Sequence, residues 1–324
     1  MLRRSTDAGS TWGPVERVFN ADDISMTDAT VGNPVPIYLS RSRELILVFC
    51  SNAGRSSERA IRRGSVSREA SRRVWMSRSL TMGSNWSAPI ELTAAVKQPG
   101  WTWYATGPGG GIRMRNGTLV IPATHAAQAT RKQPGGWDHS HVLLSDDDGA
   151  SWHVGGSAAP GTNEATVAQL ADGSLLLNAR NLLKSTGGRR VLQASADGGH
   201  SWSAPWADEH LREPVNPPWM PAGCHGSMLA TRRGARVWYT GLGTDGRQRL
   251  NLTLHGSSDS GHTWPYMQLL HHGPSGYSSL SRLPANRFAP VTIGVLYESG
   301  SAREHYAKRI LFRKLDVSQW PSQH

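Results

Sequence analysis

A short turn pattern repeated along the chain constrains its fold more than any other feature. The pattern is Ser-x-Asp-x-Gly-x-x-Trp. It occurs at Ser5, Asp7, Gly9 and Trp12, at Ser145, Asp147, Gly149 and Trp152, at Ser195, Asp197, Gly199 and Trp202, and at Ser257, Asp259, Gly261 and Trp264. A fifth, degenerate copy has Thr81 in the aspartate position, with Ser79, Gly83 and Trp86 around it. Self-similarity over tens of residues marks a chain built from repeated supersecondary units. The tryptophans recur at intervals of 50 to 74 residues, room for one small sheet and its connections. Within each copy the residue types describe a tight turn. Asp accepts backbone N–H groups ahead of it, Gly takes a positive φ, and Ser or Thr closes the turn. The Trp buries a large ring beside the next sheet while its indole N–H finds a partner. This accounts for an odd aromatic balance, thirteen tryptophans against four phenylalanines.

Strand-like runs flank the turns. RRVWMSRS (72–79), HVLLSD (141–146), VLQAS (191–195) and LNLTLHGS (250–257) lead into copies of the pattern. PVPIYL (34–39), ELILVF (44–49), TLVIPA (118–123), SLLLNA (174–179) and VWYTG (237–241) are short apolar or alternating runs bounded by turn residues. No apolar pattern of helical period persists over a dozen residues. Repeated units of this kind predict an all-β chain, a β-propeller of four-stranded antiparallel sheets. Five turn copies plus the stretch after residue 270 give about six blades, and residues 1–324 read as a single domain.

Charge narrows the function classes. The net charge is +11, but residues 51–73 carry seven arginines and two glutamates, a net +5 in one Ser-rich stretch. That stretch is expected to be a flexible Arg/Ser-rich insertion loop between strands. It holds no aromatic residue among its cations, so nucleic acid is not an expected partner. The remaining positive field suits capture of an acidic ligand. No apolar run approaches the roughly 18 residues of a membrane span, which excludes an integral helical membrane protein. Met1 is not followed by the apolar core of a signal peptide, and the compartment stays open. Cys50 and Cys224 form neither a disulfide framework nor a zinc pattern, and no metal or cofactor is expected. Asn85, Asn116 and Asn251 fit the glycosylation pattern, but Asn85 lies in a turn copy and Asn251 in a strand.

The turn copies are the Asp-boxes of sialidases, and the resemblance covers essentially the whole chain. VGNPVPI (31–37), WTWYATGPGGGIRMRNGTLVIPA (101–123), NEATVAQLADGSLLLNARN (163–181), RLNLTL (249–254), GPSGYSSL (273–280) and GVLYES (294–299) occur in the family's order. The chain resembles the exo-α-sialidases (neuraminidases) of bacterial and animal type. The resemblance implies a six-bladed propeller that removes terminal sialic acids from glycoproteins, glycolipids or oligosaccharides as a retaining glycoside hydrolase. The nucleophile it implies is Tyr277, with Glu164 as its base. A phenol of ordinary pKa near 10 is about one part in a thousand ionised at neutral pH, so it needs such a partner. Sialic acid carries a carboxylate on its anomeric carbon, which would repel a carboxylate nucleophile. Sialidases with a tyrosine nucleophile are a recognised exception to the two-carboxylate scheme.

The resemblance further assigns Arg180 and Arg249 to the substrate carboxylate, a task suited to the planar guanidinium fork. Arg247 is close enough to leave the register of Arg249 open. Glu298 matches a glutamate that orients a third arginine, and Asn33 lies where the family shapes the pocket for the N-acetyl arm. The loop TGPGGGI (106–112) either lines the mouth or simply connects strands. An acceptor platform for transfer to another sugar would draw on Trp101, Trp103, Trp137 or Trp219, which leaves hydrolysis and transfer undecided.

Three departures stand out. Ser279 replaces the aspartate of Tyr-Ser-Asp-Leu, and His225 stands where glutamine commonly follows Cys. The family's first arginine, in Arg-Ile-Pro, and its acid/base aspartate lie upstream of the first Asp-box, which here begins at Ser5. The expectation is therefore an N-terminally truncated sialidase with an incomplete first blade and little activity of its own; Asp22, Asp23 and Asp28 follow the first box but are not expected to replace the acid. Two alternatives accompany it: a catalytically silent propeller that binds sialic acid through Arg180 and Arg249, and an Asp-box interaction scaffold.

Overall fold

The computed structural model describes all residues except 27, 128–137, 184–187, 216–221, 232–233, 245, 247, 284–290, 302–303 and 319–324. Trp137, Trp219 and Arg247 lie outside the described residues. The chain is all-β, with sheets arranged as propeller blades. The first sheet has β1 (Ala29–Leu39), β2 (Glu44–Ala53), β3 (Arg73–Ser79) and β4 (Ile90–Glu91) in sequence order. The second has β5 (Trp101–Thr106), β6 (Ile112–Arg113), β7 (Leu119–Ala127), β8 (Asp138–Ser145) and β9 (His153–Ser157). The third has β10 (Thr162–Gln169), β11 (Leu175–Asn181) and β12 (Val191–Ser195), extended by a bridge from Leu192 to Trp206. A continuous path joins β13 (Ser227–Thr231), β14 (Arg236–Leu242), β15 (Leu250–Ser257), β16 (Tyr266–Arg282), β17 (Thr292–Ser299) and β18 (Arg309–Asp316). Every run read from sequence as a strand lies in one.

The sheets depart from four uniform strands, and β16 shows why. Its first half pairs with β15 and its second half with β17, with a register shift between Ser275 and Ser278. Gly273, Pro274 and Gly276 interrupt its apolar pattern, so this strand, which serves two sheets, is hard to see in sequence. The cores lie between sheets. Leu176 of β11, Val237 and Tyr239 of β14 and Trp264 form one such layer, each almost fully buried.

The repeated turn is built the same way each time. In the copy after β8, Ser145 Oγ donates to Asp147 at 2.8 Å and accepts the Gly149 N–H at 2.8 Å. Asp147 also accepts the Ser151 N–H at 2.9 Å and the Ser151 hydroxyl at 2.6 Å. The copies at Asp7, Asp197 and Asp259 repeat these four bonds. In the degenerate copy Thr81 Oγ1 still accepts a backbone N–H, from Asn85 at 2.7 Å, but lacks the second oxygen. The box glycine seats the turn on the preceding sheet: a Cβ on Gly149 would lie 2.7 Å from Ile46, and one on Gly261 2.4 Å from Leu176. Trp12 of the first copy packs edge-on against Phe312 of β18, at 5.2 Å between ring centroids, which joins the two ends of the chain.

Residues 51–73 hold the end of β2, the start of β3 and helix α1 (Glu58–Arg62), capped by Ser57. Ile61 is buried, Arg62 pairs with Asp138, and Arg72 is 3% exposed. A second short helix, α2 (Thr93–Val96), leads from β4 towards β5.

Candidate active site

The four turn copies after β3, β8, β12 and β15 each follow the third strand on the path of a sheet, at one end of the blades. The candidate site residues gather at the other end. Arg180 is the penultimate residue of β11, the second strand of its sheet, and Glu164 stands near the start of β10. Tyr277 follows the Gly-Pro-Ser-Gly interruption of β16. Tyr277 Oη donates a short hydrogen bond to Glu164 Oε1. Arg180 Nη1 donates to Glu164 Oε2 at 2.8 Å and lies 3.4 Å from Tyr277 Oη. Arg180 Nε is fixed by the Ala222 carbonyl at 2.8 Å. Arg249, just before β15, places its guanidinium over the Tyr277 ring at 5.6 Å and donates to the Gly223 carbonyl at 3.1 Å. Glu298 Oε2 accepts the Tyr277 backbone N–H at 2.9 Å. Residues from four separate stretches therefore converge on Tyr277, three on its phenol ring or hydroxyl and Glu298 on its backbone.

The electrostatics of this cluster are set by burial and one guanidinium. Burial by itself raises the Glu164 carboxyl, but the Arg180 charge and the hydrogen bonds from Tyr277 and Arg180 outweigh it, and Glu164 is held below the usual carboxylate range. Burial and the Glu164 charge push the Tyr277 phenol well up. The resting state is thus a neutral phenol on an ionised carboxylate. Burial works against the Arg180 charge, yet Glu164 and Tyr277 hold it more firmly protonated than usual.

Asn33 is not part of this convergence. Its Oδ1 accepts from Arg72 Nη2 at 2.6 Å, and its carbonyl accepts from Thr106 at 2.6 Å. The glycine loop after Thr106 does reach the site: a Cβ on Gly109 would lie 3.2 Å from His225 Nε2. Pro108, Gly109, His225, Tyr277, Glu298 and Leu296 line one small cleft.

Arg190, Glu213 and Tyr306 support the site without any signal in the sequence, and His225, marked there only as a departure, lies within it. Arg190 is fully buried and donates to Glu213 at 2.6 Å, to Asn178 Oδ1 at 2.6 Å and to the Cys224 carbonyl at 2.8 Å. Glu213 also accepts the Asn181 N–H at 2.9 Å, so this ion pair ties the end of β11, and with it Arg180, to the Cys224–His225 segment. Tyr306 Oη accepts from Arg249 Nη1 at 3.2 Å, and its ring covers that guanidinium at 4.9 Å. His225 sits 5.5 Å from the Tyr277 ring. Both its ring nitrogens, and Arg249 Nε, are buried without a protein partner among the described residues. Burial lowers His225 to about 4, so the imidazole is neutral at pH 7.

The BNR repeat-like domain family matches residues 1–289. A sialidase of Bacteroides fragilis is 30% identical over 319 residues, covering 93% of this chain and 54% of that protein. Sialidase-2 of Mus musculus is 30% identical over 327 residues, covering 94% of this chain and 81% of that protein. The solved structure of the Hadza microbial sialidase Hz136 superposes with a TM-score of 0.77 at 29% identity, over 97% of this chain and 58% of that one. The chain spans about half the length of the bacterial relatives it matches.

Proposed function

The chain belongs to the sialidase family, and on that premise we propose that it is an exo-α-sialidase that removes terminal sialic acids from glycoproteins, glycolipids or oligosaccharides. The observation that carries this reading is the contact of Tyr277 Oη with Glu164, backed by Arg180 on the other carboxylate oxygen. Tyr277 is the nucleophile and Glu164 its base. The phenol attacks the anomeric carbon as a neutral group, which avoids repulsion by the carboxylate on that carbon, and its proton passes to Glu164. The bond to the aglycone oxygen breaks, that oxygen takes a proton from solvent, and the aglycone leaves as an alcohol. Water then attacks the same carbon and gives up a proton to solvent, the bond to Tyr277 Oη breaks, and Glu164 returns its proton to the phenol. Two displacements give net retention.

Arg180 and Arg249 hold the substrate carboxylate, and Glu298 fixes the backbone from which Tyr277 projects. Each arginine reaches Tyr277 from a different sheet, so a carboxylate beside the phenol would meet both. The proposal extends to six blades. If β16 counts in two sheets, and the Leu2–Glu16 bridge takes the position between β18 and β1, six positions close the ring. The test is covalent trapping. A difluorosialic acid that forms a stable glycosyl-enzyme should label the full chain on Tyr277, read by peptide mass spectrometry. A label on another residue, or binding without a label, would replace this reading with a different nucleophile or with a propeller that only binds.

A further inference from the structure

Beside the insertion, away from Tyr277, one buried and one part-buried cation, Arg72 and Lys97, have no anionic partner among the described residues. Arg72 is 3% exposed, and its guanidinium donates to the Tyr104 carbonyl at 2.6 Å, Asn52 Oδ1 at 3.0 Å and Asn33 Oδ1 at 2.6 Å. Lys97 Nζ donates to Ser71 Oγ at 3.1 Å, the Arg72 carbonyl at 3.1 Å and the Thr102 carbonyl at 3.2 Å. Every one of these acceptors is neutral. Burial, and then the charge of Arg72, lower Lys97 to about 8, with Arg68 adding to the repulsion. Unpaired buried charges are expensive, and two repelling each other are more so. Elsewhere in this insertion Arg62 pairs with Asp138 and Arg73 with Glu91.

Both cations face a cleft of about 480 Å³ between the insertion and the α2–β5 connection, with Ser67, Arg68, Gln98 and Trp101 on its walls. That is the size of a sugar site rather than of a bare ion. Its place in the fold is informative. The insertion joins the second strand of its sheet to the third, so it leaves the blade at the same end as Arg180, opposite the turn copies. Arg62 of α1 holds Asp138 at 2.5 Å, and Asp138 accepts from Asn163 at 2.5 Å, the residue next to Glu164. Cleft and candidate active site are two stations on one face.

We propose that this cleft is a second anion subsite, taking a carboxylate-bearing sugar of the same glycan whose terminal residue enters the Tyr277–Glu164 site. The assignment of the terminal residue rests on the sialidase reading; the anion subsite does not. A carboxylate here would lie against Lys97, Arg72 and Arg68 and offset their mutual repulsion. The protein would then favour glycans with acidic sugars in series over those with a single terminal one.

The chain has five lysines, so Lys97 can be followed in protein labelled with ¹³Cε-lysine, in the Tyr277→Phe background to prevent turnover. Three probes are compared: an α2,8-linked sialic acid dimer, 3′-sialyllactose and glucuronic acid. The dimer and glucuronic acid should raise the Lys97 midpoint by one unit or more, while sialyllactose, with one carboxylate held at Tyr277, should leave it in place. If glucuronic acid alone moves it, the subsite stands and the sialidase reading of the other station fails. If no probe moves it, the proposal is overturned. In the active protein, Arg68→Ala and Lys97→Met should each lower kcat/KM for the dimer about tenfold and leave that for sialyllactose unchanged. Equal losses on both substrates would mean a structural role and overturn the assignment.

Discussion

Asp147 in a turn copy and Glu164 in the candidate site are both ionised carboxylates held below their ordinary pKa, yet they are held in opposite ways. Asp147 is exposed, and its partners Ser145 and Ser151 lie within four positions of it. Hydrogen bonds from Ser151 and Ser145 lower it to about 2 with almost no desolvation to overcome. Glu164 is part-buried, and its partners Arg180 and Tyr277 are 16 and 113 positions away. Its ionised state depends on a guanidinium brought in by another strand. A carboxylate in a local turn stabilises its own loop and can be repeated anywhere. One satisfied from across the ring exists only if the whole ring is assembled.

The largest difference between the two ends should be catalytic. Tyr277→Phe is expected to lower kcat on a fluorogenic sialoside by about 10³-fold or more, with analogue binding changed only a few fold. Asp147→Asn should leave kcat alone. Wild-type turnover in Tyr277→Phe would break the distinction between the ends.

Next comes the buried pair behind the site. Arg190→Met strands Glu213 in the interior and should cost about 3–5 kcal/mol in urea unfolding, because an uncompensated buried charge remains. Adding Glu213→Leu should recover much of that loss. A double variant no better than the single would mean the pair acts through packing alone. Arg180→Lys keeps the charge but loses the planar fork, and should weaken binding of a sialic acid analogue about 10- to 100-fold by calorimetry. Equal affinity would remove Arg180 from the carboxylate site.

Acid should separate the ends by pH window. His225 is held neutral when folded, down to about 4, so the unfolded chain binds more protons between there and about 6.5, and stability falls as pH drops through that range. His225→Gln should flatten this part of the profile. Asp147 works lower: its contribution is full above about pH 4 and is lost as pH falls towards 2. A profile unchanged by His225→Gln would contradict the buried neutral imidazole. The smallest effect is expected at the degenerate copy, where Thr81→Asp restores the second acceptor oxygen and should raise Tm by about 1–3 °C.

The turn copies were legible from sequence because every bond that defines them falls within a few residues, from Ser to Gly and from Asp to the hydroxyl residue four positions on. Strands such as VLQAS and LNLTLHGS were legible for the same reason, since alternation and flanking turns are local properties. Tyr277, Glu164, Arg180 and Arg249 were not legible by any such rule. They came only from resemblance, because no periodicity joins residues 113 positions apart. The two-sheet role of β16 escaped the pattern, since Gly273, Pro274 and Gly276 mark a break in the middle of one strand.

What the sequence determined by itself was the repeating unit and so the all-β class, because turn chemistry and strand alternation act over neighbouring residues. Which of 35 basic side chains are buried, and against what, was decided only in three dimensions. Arg190 found Glu213, Arg180 found Glu164, and among the described residues Arg72 and Lys97 found neutral oxygens, with the Trp103 ring over Arg72. The cost or gain of a charge depends on the dielectric and the partners around it, and closure of the sheets sets both.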